Sequence, residues 1–406
     1  MNSSAHLDHL YKKLFVKMVA GLMKKFEIKD ITVAEDAVQD TFLAAQTQWP
    51  NKLPDNPEAW LFRVCRNIAV KGRRPTDINL DEIDQQSDST FFEEESEPID
   101  KGFWMLVACA NPRFSPKQQV IFALRYAAGF KVEQIAILLG TPRETITKTL
   151  QRLRKIVKDE NIDFYSEETT ISEPSQNAVL MVLYLMFSEG YKTSRGKSLL
   201  NIELCEDALA FTQIFVKNEK LVNPDAKALY ALMLFNLSRF EARFTIEGEL
   251  IDLENQDRSC WNVKMIGVAV RYLNEAKTQI LSRYHIEAAI AFLHCSASSF
   301  ATTEWHKIVS LYEQLRSLNE SPFVLLNLAI AKFYANDIKE AFSMMVSLGE
   351  IAFINRYHLY HVAMGKMYSR MEDLSKAKLH FTKAITLTDN QIEKRYIQKL
   401  QDKLDD

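Results

Sequence analysis

The sequence predicts an all-α fold divided among several domains, and three observations lead there. Chain breakers are scarce, with eleven glycines and eleven prolines in 406 residues, below the usual shares of about 7% and 5%. Apolar residues recur at three- and four-residue steps over most of the chain, the period of an amphipathic helix. Charge is partitioned unevenly, which marks off separate modules. Together these exclude a collagen-like, disordered or turn-rich β chain. At roughly 150 residues per domain the length accommodates two or three.

Composition removes further classes. Lys and Arg total 50 against 53 Asp and Glu, a net charge of −3, so the whole-chain balance names no partner. The longest strongly apolar run, Ala178 to Phe187, is ten residues, about half of what a bilayer span takes. No membrane partner is expected, and no basic N-terminal region leads into an apolar stretch as in a secretion signal. The five cysteines (Cys65, Cys109, Cys205, Cys260, Cys295) are far apart and form no C-x-x-C pair. A reduced cytoplasm suits them.

The local charge is more informative. Residues 1–76 carry 12 basic and 8 acidic side chains, residues 77–100 carry 10 acidic and no basic ones, and residues 113–158 carry 10 basic and 2 acidic ones. Two basic modules, 1–76 and 101–165, thus flank an acidic strip, and a long remainder, 174–406, follows. The strip has no helical period and reads as a linker, either plainly solvated or screening its basic neighbours from the wrong polyanion.

In the first module, Leu10, Leu14, Met18 and Leu22, widened by Phe15 and Val19, define one helix. A second runs from Ile31 to Trp49 with Ala34, Ala37, Val38, Thr41 and Ala45 buried, and Glu35, Asp36, Gln39 and Asp40 on a polar ridge. Asn56 as N-cap and Pro57 at N1 open a third, with Trp60, Leu61, Val64, Cys65 and Ile68 on one face and Arg63, Arg66, Asn67 and Lys71 on the other. A basic helix of this kind can follow a phosphate backbone.

In the second module, Phe103, Trp104, Leu106, Val107 and Phe114 read as core. Ser115-Pro116 opens a helix through Val120, Ile121, Leu124 and Tyr126, which Ala127-Ala128-Gly129 closes. A short helix, Val132 to Leu139, ends at Gly140. Thr141-Pro142-Arg143-Glu144 then predicts a capping box. The helix behind it buries Ile146, Leu150, Leu153 and Val157 and presents Arg143, Thr147, Lys148, Gln151 and Arg154, flanked by Arg152 and Lys155. Short helix, glycine turn and basic-faced second helix is the helix-turn-helix pattern. Arg143, Thr147 and Lys148 are the candidates for base edges, and Arg152, Arg154 and Lys155 for phosphates. The plain alternative is a three-helix bundle that happens to be basic.

The N-terminal half resembles a bacterial extracytoplasmic-function sigma factor of the sigma-70 family. Ala34 to Phe42 (AEDAVQDTF) looks like the polymerase-binding helix, Pro57 to Ala69 (PEAWLFRVCRNIA) like the helix that meets and opens the −10 element, and residues 113–158 like the domain that reads the −35 element. The resemblance implies that Asp36, Gln39, Asp40 and Phe42 dock on the β′ clamp helices of core RNA polymerase. It implies that Trp60, Arg63, Arg66 and Asn67 lie along the −10 strand of promoter DNA. The partners are then core polymerase and DNA, and no bond chemistry, metal or cofactor falls to this chain.

Residues 174–406 read as helical throughout. His361, Met364, Gly365, Tyr368, Ala377, Phe381 and Ala384 fall on tetratricopeptide-repeat positions, and Ala329, Ala341, Met345 and Leu348 echo them about 36 residues upstream. Leu185 to Tyr191, Glu254 to Arg258 and Ala288 to Ala291 resemble the extension of a sigma-factor subgroup with a tetratricopeptide-like C-terminal domain. In that subgroup the extension stands in for a separate regulator. Glu189, Glu254, Asp257, Arg258 and Trp261 are the most polar cluster, read as helix-fixing ion pairs, with Arg258 on Glu254, rather than as catalytic groups. Tyr191, Gln256 and Asp257 are candidates for contact with the sigma domains or polymerase. His6-x-x-His9 and His358-x-x-His361 lack the further ligands a metal needs, and no nucleotide or hydrolase motif occurs.

Two functional readings follow: a promoter-recognition subunit of RNA polymerase, and a stand-alone helix-turn-helix regulator with a helical dimerisation or ligand-sensing domain. The ridge Asp36-Gln39-Asp40 separates them, since the second has no use for it. A pure scaffold, its basic face incidental, is the third and barest reading.

Overall fold

The computed structural model describes residues 3–25, 31–50, 53–71, 98–160, 162, 171–192 and 201–404. Regular structure among them is helical, apart from a single bridge between Phe244 and Leu250. Residues 77–97 of the acidic strip lie outside the described residues, as do Gly72 to Thr76. The chain divides into two compact units, 1–186 and 187–406.

Unit 1 begins with α1 (Ser3–Lys25), α2 (Ile31–Gln48) and α3 (Pro57–Lys71), which pack on one another. The stripe of α1 is buried as its period requires, Leu14, Phe15, Met18 and Val19 almost completely. Asn56 caps α3, its Oδ1 accepting from the Ala59 amide at 3.1 Å. Next come α4 (Pro98–Cys109), α5 (Pro116–Tyr126), α6 (Val132–Leu138) and α7 (Arg143–Asp159). The last three residues of the acidic strip, Pro98 to Asp100, therefore open α4. Gln118 caps α5 by accepting from the Ser115 amide at 2.9 Å.

Gly129 (φ +70°) and Gly140 (φ +57°) make the left-handed turns around α6. The capping box expected at Thr141 does not form. The N-cap is Pro142, so Glu144 falls at N2, one residue short of the reach that a box needs, and Thr141 Oγ1 donates to the Leu139 carbonyl instead. On α7, Ile146, Leu150, Leu153 and Val157 are buried as expected, each stabilising by roughly 1.5–3 kcal/mol as an upper bound.

The helix α8 (Glu173–Tyr191) runs across the division of the units. Its apolar run is buried nearly all round, which is why it shows little amphipathicity. Unit 2 continues with α9 (Ile202–Lys217), α10 (Pro224–Leu237), α11 (Val263–Glu275), α12 (Arg283–Ser296), α13 (Trp305–Leu318), α14 (Pro322–Tyr334), α15 (Ile338–Gly349), α16 (His358–Arg370), α17 (Leu374–Leu387) and α18 (Gln391–Asp402). Most successive helices pack as neighbours, α16 on α17 most extensively, then α14 on α15 and α10 on α11 alike. Gly365 allows the approach of α16 to α17: a Cβ there would meet the Phe381 ring at 2.5 Å. Ala329, Ala341, Met345 and Leu348 share one buried cluster, and Ala377, Phe381 and Ala384 another. The turns ending α14 and α16 are alike. Asn336 (φ 70°) and Glu372 (φ 62°) are both left-handed, and the next amides, Asp337 and Asp373, close on the carbonyls of Lys332 and Tyr368 at 2.9 and 3.0 Å.

The expected pair of Arg258 with Glu254 is not made. This stretch is irregular, with only a short 3₁₀ turn at Arg258–Cys260, so four residues do not bring the side chains onto one face. Glu254 accepts from Arg370, and Arg258 Nη1 donates to the carbonyls of His294 (2.6 Å) and Ala297 (2.7 Å). His358 faces Glu393 at 3.0 Å, while His361 meets His380 at 3.0 Å and the Asn355 carbonyl at 2.9 Å.

Candidate nucleic-acid interface

The helix pair α6–α7 sets a basic row towards solvent. Burial of Ile146, Leu150, Leu153 and Val157 turns the opposite face outward, so Arg143, Thr147, Lys148, Gln151, Arg152 and Lys155 are all exposed. Arg143 is held at the helix start by Glu133 of α6, Nε to Oε1 at 2.8 Å. Thr147 Oγ1 donates to the Arg143 carbonyl at 3.1 Å. The row carries four cations along one helix and can meet a polyanion without rearranging the core.

Arg154 is the exception. Sequence periodicity placed it on the exposed face, but the structure turns it inward, 26% exposed, onto Glu35 of α2. Glu35 in turn was read on a polar ridge and is 2% exposed. Its Oε1 accepts from Arg125, including Nε at 3.2 Å, and from Gln39 Nε2 at 3.2 Å. Its Oε2 accepts from the Tyr126 hydroxyl at 2.9 Å and from Arg154 Nη2 at 2.6 Å. Arg154 Nε also donates to the Tyr126 oxygen at 2.6 Å. Arg125 reaches the Phe130 carbonyl at 3.2 Å and lies 4.8 Å over the Phe15 ring of α1. Burial works against the charge on Arg125, but the Glu35 carboxylate outweighs it and raises the pKa. Burial foremost, then Glu35, pushes the Tyr126 hydroxyl up, so it stays protonated and donating. One carboxylate thereby ties α2 to both α5 and α7. The sequence did carry a signal for it: Glu35 stands four after Ile31 and three before Val38, on the buried stripe.

The ridge keeps two of its members in solvent. Asp36 and Gln39 are exposed and Asp40 is half-buried. Phe42, expected at a polymerase contact, is a core side chain instead, edge-on to Tyr11 with ring centroids 5.0 Å apart. Trp60, expected along the −10 strand, is 0% exposed and packs edge-on against Trp49 at 5.5 Å. Both face inward because they continue the apolar stripes of α2 and α3. Arg63, Arg66 and Asn67 lie half-buried on the other side of α3. Lys71 is the last residue of α3. Tyr191, Gln256 and Asp257, read as contacts of the C-terminal part, belong to unit 2. Among the described residues no helix is long and apolar enough to cross a membrane, and no three His, Cys, Asp or Glu side chains are grouped to hold a metal.

Comparison with known proteins accounts for much of the chain. Residues 13–76 match sigma-70 region 2, residues 112–157 match sigma-70 region 4, and residues 176–277 match a family of unknown function, DUF6596. An uncharacterised protein of Rhizobium meliloti (strain 1021) is 30% identical over 397 residues, spanning 95% of this chain and 93% of that protein. No solved structure matches.

Proposed function

Since the chain belongs to the sigma-70 family, with region 2 and region 4 in order, we propose that it is an extracytoplasmic-function type sigma factor with a tetratricopeptide-like C-terminal array, working in the cytoplasm. The domains of this family are non-catalytic transcription factors, so the chain's contribution is binding energy. The outward cationic row of α7 is the observation that carries the reading. Arg143, Thr147 and Lys148 sit at the end of the helix that a helix-turn-helix protein directs to base edges. Gln151, Arg152 and Lys155 follow along the same side, where phosphate runs.

Asp36, Gln39 and Asp40 supply a polar surface for the clamp helices of the polymerase β′ subunit. Arg63, Arg66 and Asn67 supply the −10 contacts, without the buried Trp60. Arg154 joins the phosphate contacts only when it leaves Glu35. The matching left-handed turns at Asn336 and Glu372, 36 positions apart, support the repeat character of the array.

The test is run-off transcription from genomic promoter fragments with core polymerase, with and without the protein. Protein-dependent transcripts from discrete starts are expected, abolished by Asp36→Lys with Asp40→Lys while any direct duplex binding survives. Tight duplex binding by the protein alone, with no transcript, would sink the reading in favour of a stand-alone regulator.

A further inference from the structure

Unit 2 contains a partly open cavity of about 500 Å3, within the size range of small-molecule sites. Its lining carries two groups of charges that differ in balance. In one the acids are matched: Lys366 and the Tyr396 hydroxyl donate to Asp252, the latter at 2.9 Å, and Arg370 donates to Glu254. The other holds Arg239 and Arg243, and Arg258 adjoins it through Trp261. Arg239 Nη2 donates to Asn236 Oδ1 at 2.8 Å, and Arg243 Nη1 to the Tyr191 carbonyl at 3.0 Å. Arg243 lies 4.1 Å over the Tyr191 ring, and Arg239 and Arg258 share Trp261 at 5.9 and 4.5 Å. Among the described residues none of the three has a carboxylate partner.

Such a cluster is costly. The three guanidiniums are half-buried; a cation so placed without an anion loses hydration that neutral carbonyls replace only in part, and neighbouring like charges add to the cost. Burial first, and Arg239 with it, holds Arg243 and Arg258 below the usual guanidinium range. The same causes keep His294 neutral, down to about 3. Hydrogen bonding is also incomplete. The side chains of Arg239, Gln256 and His294 line the cavity, and Arg239 Nε, Gln256 Oε1 and His294 Nδ1 are buried within its wall without partners, as is Arg258 Nη2. Buried polar atoms are seldom left so. Beside them, Trp305 and Tyr334 stack at 4.8 Å with Phe300 edge-on to both, forming an aromatic wall.

We propose that this cavity binds a small organic anion, its carboxylate or phosphate head on Arg239 and Arg243 and a flat aromatic or apolar body against Phe300, Trp305 and Tyr334. Guanidinium forks suit either head, and the wall offers offset stacking. The site stands apart from the transcriptional reading, and its test needs no polymerase.

Calorimetric titration of the full chain with 2-naphthoate, 2-naphthyl phosphate, 2-naphthalenemethanol and inorganic phosphate separates head from body. One of the two aromatic anions should bind once per chain, at least about tenfold more tightly than the alcohol or inorganic phosphate. The better one identifies the head. Arg239→Gln and Arg243→Gln should each weaken that binding about tenfold or more. The same variants should keep or gain melting temperature, because each removes a half-buried cation without a carboxylate partner, and should lose the ligand-induced rise seen in the wild type. Equal binding of the alcohol, unchanged affinity in both variants, or no binding of either anion at millimolar concentration would overturn the proposal.

Discussion

Glu35→Ala should destabilise unit 1 by about 3 kcal/mol, and the structure sets that magnitude. The substitution removes the anion from two guanidiniums and leaves each differently placed. Arg154 is 26% exposed and can swing to water, regaining much of its hydration. Arg125 is 8% exposed and keeps the neutral Phe130 carbonyl and Tyr11 hydroxyl and the Phe15 face, but no anion. Removing one partner of a buried pair costs about 3–5 kcal/mol. With one stranded charge rather than two, the low end applies. Glu35→Gln, which retains an acceptor, should cost about half as much. Hydrogen exchange of the α2 and α5 amides, read by mass spectrometry, reports this unit apart from the other. A loss of about 3 kcal/mol appears as protection lowered on the order of 100-fold. Less than a threefold change in Glu35→Ala would refute the reasoning.

Three other expectations can be checked directly. Arg152→Ala should weaken DNA binding with little sequence dependence and reduce the slope of log affinity against log salt by about 1, whereas Glu35→Ala, by freeing Arg154, should raise that slope. Gly365→Ala should cost about 1–3 kcal/mol in urea unfolding, because its Cβ would lie 2.5 Å from the Phe381 ring, well beyond the gain in helix propensity. The His294 imidazole is pushed down to about 3 by burial and by Arg239 and Arg258, so the unfolded chain takes up a proton that the fold refuses. Stability is then complete above about pH 6.5 and falls as pH drops from there towards 3, by up to about 1.4 kcal/mol per pH unit, a slope that His294→Gln should flatten.

Periodicity was a sound guide wherever one face alone decides the matter. The stripes of α1 and α7 were readable because Leu14, Met18, Leu150 and Leu153 recur at the helical step, and Asn56, Pro57, Gly129 and Gly140 marked ends that backbone geometry requires. The failures have separate causes, and at Glu35 and Arg154 a side chain's partner lay far off in the chain. Glu35 reads as surface by residue type, yet its partners are 90 and 119 residues away, and no local pattern encodes them. Trp60 and Phe42 carry residue types suited to recognition, but their positions on apolar stripes bury them. Arg258 was matched to Glu254 by helical spacing in a stretch that is not a helix.

The two arginine clusters show how charge balance separates a structural group from an open site. At Glu35 the carboxylate is shared between two guanidiniums and a phenol, and Gln39 completes its shell, so every strong donor has an acceptor. A buried ion pair of this kind adds little net stability over an apolar pair of similar volume. What it adds is register, since α7 can meet α2 only where Arg154 reaches Oε2. Replacing the group by Glu35→Leu with Arg125→Met and Arg154→Leu should therefore restore most of the stability that Glu35→Ala loses while broadening the exchange behaviour of α7. If α7 stays as uniformly protected as in the wild type, the register argument fails. Arg239, Arg243 and Arg258 present the opposite case: three cations, aromatic faces and carbonyls, and among the described residues no acid partner. Substituting Glu35 strands charges, whereas substituting Arg239 relieves them. The sign of the stability change thus distinguishes a group that holds the fold from one held ready for something else.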